Sequence, residues 1–527
     1  MKRLLPILLL AGCSTAPAVP GEVRYADGEL SLRRGGAWKP VARVQGATVS
    51  RQEGGRVTLR VTDELRIEVY GRRSMALFPG LEFLEGDEFS SSDRDARGPL
   101  ADRRRPDPSK VTVPLMAFEV DGVLVTLLWK DGARPFFEAR EKNLMGLASA
   151  GAGFQAVLLA EEGATIYDAA PRWTSTMELP KPEPWPRTLE EELALCKAGF
   201  ASVSAPRGKH RHAAGKDWPP EWTPGFGVLL HLLGEKVDWF DYADLLSTVN
   251  CHILKWEAPF YAGEPETAKK LLERMKIMTD MRKREDGEWG FHPMNAEQRK
   301  LGTAGDSVLG TSAEKALSVA KAARMTGDPE LKAIALDVLA RLRRHKVPRG
   351  AQSWECPLSE PDLLAAAFAV GAYVEAYKLS GDRAWLEDAA RWAKAGLPFL
   401  YLWSLPGRKG MLYGSIPVFG TTQFTHPWFG VPVQWNGLVY AYYLRKLAPH
   451  DRSFDWLRVA DGITASAVHQ QYADGPSKGC YPDALYDQCS RRAPPDINPE
   501  DLLVNILTSI GKDPDPDLTI VPTSLKR

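Results

Sequence analysis

The chain changes its hydrophobic period partway along. From residue 21 to 178 apolar and polar residues alternate in short runs. Arg56-Val57-Thr58-Leu59-Arg60-Val61-Thr62 and Leu65-Arg66-Ile67-Glu68-Val69-Tyr70 are two of them, and Val111 to Val120 followed by Val123 to Trp129 gives two more. A period of two lines one face of a strand. Asp121-Gly122 and Asp131-Gly132 punctuate the runs as turns. Many short strands with such turns predict a β-sandwich. Glu85 to Ser109 interrupts them with a stretch rich in Ser, Asp, Arg and Pro, too polar for a core and long enough to be functional or disordered.

Leu179-Pro180-Lys181-Pro182-Glu183-Pro184-Trp185-Pro186 follows, and its prolines predict a stiff, extended linker over 179–187. From 188 to 511 the spacing becomes helical. The clearest segments are Glu266–Arg284, Ser312–Met325, Pro329–His345, Asp362–Leu379, Arg383–Leu402, Trp435–Leu447, Phe454–Tyr472 and Pro499–Ile510. Met325-Thr326-Gly327-Asp328 and Leu379-Ser380-Gly381-Asp382 repeat one device, in which Gly ends a helix and Asp caps the next. Repeated antiparallel pairs stack into a solenoid or close into a ring. Leu363 to Val370 is apolar on every side, as the inner ring of an α/α barrel requires. Residues 512–527 read as a tail. The fold class expected is α+β and multidomain: an N-terminal β-sandwich followed by an (α/α) toroid of helical hairpins.

The first residues carry a different signal. Lys2 and Arg3 precede a short apolar run, and Leu10-Ala11-Gly12-Cys13 reads as a lipobox. Residues 1–12 are then a signal peptide, 13–20 a tether and Cys13 the lipidated residue. Two or more acyl chains hold a protein to a membrane, whereas the apolar run is too short to span one. The expected location is the cell membrane or outer membrane, facing the periplasm or the outside. Export permits disulfides, and Cys480 and Cys489, in a Gly/Pro/Asp-rich loop, form the candidate pair.

Lys+Arg and Asp+Glu stand at 67 each, so there is no basic field to recruit nucleic acid. Sixteen Trp among 527 residues exceeds what packing alone asks for, and indole faces suit the C–H faces of sugars. Taken together, the signal, sandwich, linker and helical hairpins resemble the six-hairpin glycosidase-type enzymes. The likeness is one of architecture and singles out no one glycoside hydrolase family. It implies an active site in the toroid mouth, built from loops between inner and outer helices, with hydrolysis often inverting and some relatives acting as polysaccharide lyases.

Four loops hold residues suited to that chemistry. Asp286 to Pro293 contains Glu288, Trp289 and His292. Gly302 to Ser307 contains Asp306, left without capping duty if Ser312 caps the next helix. Gln352 to Asp362 contains Trp354 and Glu355; Asp362 suits a helix cap, whereas Glu355, beside Trp354 and Cys356-Pro357, should be poorly solvated and hold its proton. Gly410 to Trp435 contains Tyr413, His426, Trp428 and Trp435, and reads as a sugar-binding rim. Glu355 is the expected general acid, Asp306 the base, and Glu288 a substitute for either. Trp289, His292, Trp354, His426, Trp428 and Trp435 are the expected sugar contacts. No metal site and no cofactor are called for, with calcium left open. A polysaccharide lyase, whose His or Tyr base and carboxylate-neutralising group are drawn from His426, Tyr413, Asn250 and His292, and a glycan-binding lipoprotein without catalysis, are the alternatives.

Overall fold

A computed structural model describes residues 22–89, 103–130, 133–205, 209–210, 224–239, 245–246, 252–263, 266–281, 286–420, 429–486 and 491–515. Cys13, Asn250, His426, Trp428 and Cys489 lie outside them.

Eleven antiparallel strands fill the first part: β1 (Val23–Ala26), β2 (Glu29–Arg34), β3 (Ala37–Glu53), β4 (Arg56–Val69), β5 (Arg73–Phe78), β6 (Glu82–Glu85), β7 (Leu115–Val120), β8 (Val123–Trp129), β9 (Ala133–Glu138), β10 (Asn143–Ser149) and β11 (Phe154–Glu162). They form one sheet in the order β1-β2-β3-β4-β11-β8-β7-β5-β6, with β10 joining β4 to β9. The fork lies in β4, whose residues up to Val61 pair with β11 and whose residues from Glu64 pair with β10. Opposite the fork β3 slips register at Gly46, whose φ is 83°. A Cβ there would stand 1.8 Å from the Glu64 carbonyl oxygen, so only glycine allows the approach.

Phe137 of β9 stacks on Phe118 of β7, 4.9 Å between centroids, and lies 5.3 Å from Phe78 of β5. Neither strand is its hydrogen-bonding neighbour, so the sheet folds back over its own core. β4 alternates as its sequence predicts, with Val57, Leu59, Val61, Leu65, Ile67 and Val69 buried. β8 does not alternate. All of Val123–Trp129 is buried, because Val125 and Leu127 face the sheet's core while Leu124 and Leu128 face the helices.

The helices are α1 (Ala169–Met177), α2 (Leu189–Val203), α3 (Pro224–Leu232), α4 (Ala258–Ala262), α5 (Thr267–Asp280), α6 (Leu309–Thr326), α7 (Pro329–Leu342), α8 (Leu363–Ser380), α9 (Ala384–Gly396), α10 (Gln434–Leu447), α11 (Trp456–Gln470) and α12 (Glu500–Ser509). Two short hairpins add β12 (Ser204–Ala205) with β13 (Lys209–His210), and β14 (Tyr481–Tyr486) with β15 (Arg491–Ile497). α6, α8, α10 and α12 pack side by side, and α7, α9 and α11 pair with them from outside. α8 is long and apolar enough to cross a membrane, yet it is mostly buried as this row's central member. The Gly-Asp device appears as expected: Gly327 and Gly381 close helices with φ of 71° and 74°. Asp328 caps α7, and Asp382 accepts the Ala384 N–H at 3.0 Å.

Three local expectations need correction. Ser312 caps nothing; α6 begins at Leu309, and the Ser312 hydroxyl accepts the Trp289 N–H at 2.9 Å instead. The polar insertion contributes Arg103 to the interior, only 1% exposed, between Glu82 at 3.5 Å and Glu360 at 3.4 Å. The loop holding Cys480 opens directly into the β14–β15 hairpin, with Cys480 buried and its Sγ 3.8 Å from the Gly199 carbonyl oxygen.

Candidate functional site

Trp354 and Glu355 sit in a turn between α7 and α8. The turn is fixed from below by Gln352, which is buried, accepts the Cys356 N–H at 3.0 Å through its carbonyl and donates its side-chain amide to Pro417 O at 2.9 Å. Held there, Trp354 is 43% exposed and turns its indole to solvent. Its Nε1–H donates to Glu355 Oε1 at 3.3 Å. Burial pushes the Glu355 carboxyl upward against that hydrogen bond.

Trp435 enters from the first turn of α10 and stacks beside Trp354, 6.2 Å between centroids. The preceding Gln434 is wholly buried and locks the turn by accepting the Ser415 N–H at 3.0 Å and donating to Ile463 O at 2.9 Å. Trp435 Nε1–H donates to Asp483 Oδ1 at 3.2 Å. The β14–β15 register slips between Pro482 and Ala484, so Asp483 occupies a bulge, the strand irregularity that re-aims a side chain. Burial, and then the charge of Glu355, push Asp483 up to about 7, against the Trp435 hydrogen bond and His252. The His252 ring lies on Trp435 at 4.3 Å, and its Nδ1 is 2.7 Å from Asp501 Oδ2. Two carboxyls therefore meet two ends of one aromatic run, with a His–Asp dyad on its flank.

A cavity of about 310 Å³ lies next to this cluster, lined by Met278, Trp289, Phe291 and His292 on one side and by Glu314, Lys315 and Ser353 on another. Lys255 forms an ion pair with Glu314, and both Lys255 and His252 favour its charged form. Trp289 is held by Ser312 at its N–H and by Met278 O at its indole N–H, 3.0 Å away.

Of the expected residues, Glu355, Trp354 and Trp435 come together, while Trp289 and His292 line the adjoining cavity. Glu288 turns the other way. Its carboxylate is buried and meets Ser307, Arg344 Nη2 at 2.9 Å and His345 Nε2 at 3.3 Å. Burial raises it, but His345, Ser307 and Arg344 outweigh burial and hold it below the usual range. Asp306 is exposed and closes its own turn, accepting the Thr303 N–H at 3.0 Å. Tyr413 is buried, with its hydroxyl on Pro180 O, away from the cluster. Asp362 caps α8 through the Ala365 N–H at 2.7 Å. Asp483 and Asp501 were not anticipated. Among the described residues no group of His, Cys, Asp and Glu is arranged to hold a metal ion.

No family model and no curated protein matches the chain. Solved structures similar to it include unsaturated glucuronyl hydrolase from Bacillus sp. GL1, at 13% identity and TM-score 0.43, covering 62% of this chain and 97% of that one. Cellobiose 2-epimerase from Bacillus thermoamylovorans gives 10% identity and TM-score 0.44, covering 62% and 99%. A polysaccharide lyase gives 10% identity and TM-score 0.32, covering 94% and 99%.

Proposed function

We propose that this chain is an envelope-anchored glycoside hydrolase whose two working carboxyls are Glu355 and Asp483. The observation that carries the reading is their attachment to one stacked pair, Glu355 through Trp354 and Asp483 through Trp435. A sugar lying on the exposed Trp354 indole stands beside Glu355, with Asp483 tied to the stacked Trp435. Hydrolysis needs one carboxyl protonated and the other ionised. The charge of Glu355 helps hold the proton on Asp483, so Asp483 is the donor to the leaving oxygen and Glu355 the carboxylate that activates water or attacks the sugar. These roles reverse the sequence-based expectation for Glu355 and replace Asp306. In this reading the folded sheet is the β-sandwich, the row α6, α8, α10 and α12 is the inner wall of an α/α toroid, and lipidated Cys13 tethers the whole to the membrane.

Release of reducing sugar over a panel of polysaccharides tests the reading. Glu355→Gln is expected to lower turnover by at least about a thousandfold with binding intact. Full activity in that variant removes the assignment. A second reading, a polysaccharide lyase, is favoured by the His252–Asp501 dyad, which presents an oriented imidazole as a proton-abstracting base. An unsaturated, ultraviolet-absorbing product that disappears in His252→Gln and persists in Glu355→Gln decides for it.

A further inference from the structure

Glu314 and Lys315 stand next to each other on α6 and both face the cavity of about 310 Å³. Their charges are treated differently by their surroundings. Glu314 is neutralised by Lys255. Lys315 donates to the Thr311 carbonyl oxygen at 2.8 Å and makes no ion pair among the described residues. An ammonium has three donors, and this one has a single protein acceptor. Lys255, outside the lining, pairs with Glu314, so the two carboxylate-ammonium charges cancel and Lys315 is the cation left over at the cavity. Met278, Trp289 and Phe291 give the same cavity an apolar wall, which holds no acceptor for the ammonium in their side chains. A cation kept at the edge of an apolar pocket is costly unless a ligand pairs with it.

We infer that this cavity is a subsite for an acid sugar, with the pyranose against Trp289 and Phe291 and its anionic substituent, a carboxylate or a sulfate ester, on the Lys315 ammonium. The inference rests on the saccharide reading of the adjoining cluster and adds the charge class of the substrate. The arrangement suits the task, because the aromatic wall accepts any pyranose whereas the ammonium selects the charged one. A neutral sugar in the same place would shield Lys315 from water without replacing its lost hydrogen bonds. The cavity is at the small end of ligand pockets, which run to on the order of 300–1,000 Å³. It therefore suits one ring of a chain that continues toward Trp354 and Trp435.

The test is binding of glucose, glucuronate and the sulfate ester of glucose to the full chain, measured by calorimetry at low and raised ionic strength. At least one of the two anions is expected to bind about tenfold tighter than glucose, as a charge-assisted hydrogen bond supplies. Which anion gains identifies the substituent. The preference should shrink with salt and vanish in Lys315→Met, a substitution that keeps the side chain's length and a good helix former. Lys315→Arg should retain it in part. Equal binding of all three sugars, no binding by any of them, or an unchanged preference in a folded Lys315→Met protein overturns the inference. In Glu355→Gln the preference should persist, so failure of this subsite and failure of the hydrolytic assignment appear in different measurements.

Discussion

Asp483 ionises at a cost that the unfolded chain does not bear. Its carboxyl is pushed up to about 7 from an ordinary 3.8. The folded state keeps its proton across that window while the unfolded state loses it. Stability from this residue is therefore fully present below the ordinary value and lost as pH rises through about 7. Full burial would set the cost near 4 kcal/mol, and the solvent reaching the cleft reduces it to on the order of 2 kcal/mol. Asp483→Asn should then be more stable than the parent at about pH 8 by that amount, with the difference gone at about pH 4. Urea unfolding at the two pH values checks this, and a variant less stable at the higher pH contradicts it. Stabilisation on removing Asp483 is what the proposed role predicts, since working residues are commonly held at a cost to stability. At the residue scale the sequence offered three carboxyls alike, and only their surroundings in the fold tell them apart. Glu355 was legible because its neighbours Trp354, Cys356 and Pro357 announce poor solvation. Glu288 and Asp306 carry the same chemistry in their side chains, but their carboxylates are spent on Arg344 and His345 and on the Thr303 N–H. Asp483 was hidden, since its meaning comes from a strand bulge and from Trp435 and Glu355, which lie far from it along the chain.

The helix row gains its closeness from glycines. Tyr443 and Tyr440 of α10 lie on Gly371 of α8 and Gly396 of α9; a Cβ at either glycine would meet the ring at 2.6 Å. Two effects oppose each other in Gly371→Ala. Alanine gains about 1 kcal/mol in an isolated helix, but overfilling a packed core costs about 1–3 kcal/mol. Tyr443 is only 3% exposed and cannot retreat to solvent, so packing should win. The variant is expected to lose up to about 2 kcal/mol in urea unfolding, and a higher midpoint would show that α10 can move aside. The helices themselves were legible from their period, and the hairpin turns from Gly327-Asp328 and Gly381-Asp382, because both are local properties. β8 was read as alternating and is buried on both faces, which only the helices stacked on the sheet explain. Ser312 was read as a cap by its residue type, and its hydroxyl serves Trp289 from another loop.

At the scale of the molecule, one arginine joins the strands to the helices. Arg103 lies between Glu82, on β6, and Glu360, ahead of α8, with its guanidinium 5.7 Å over the Phe429 ring. Its sequence surroundings are Ser, Asp and Arg, so composition placed the stretch on the surface; the partner that buries it, Glu360, is on the far side of the linker. Trp403 Nε1–H on Val111 O at 2.7 Å and Lys394 on Asp168 at 2.8 Å reinforce the same junction. An interior ion cluster of this kind is weak as a source of stability but severe when broken, since each buried charge has already given up its water. Arg103→Met alone should cost about 3–5 kcal/mol, because it takes the guanidinium from between two buried carboxylates, Glu82 and Glu360. Adding Glu82→Leu and Glu360→Leu replaces both buried carboxylates with apolar side chains and is expected to recover most of that loss. Unfolding in urea followed by tryptophan fluorescence distinguishes the outcomes. If the single variant matches the parent, the junction is held by the backbone and apolar contacts alone. If the triple variant is as unstable as the single, the arginine's role is to fill space against Phe429, and its charge contributes nothing to joining the strands to the wall that carries Glu355.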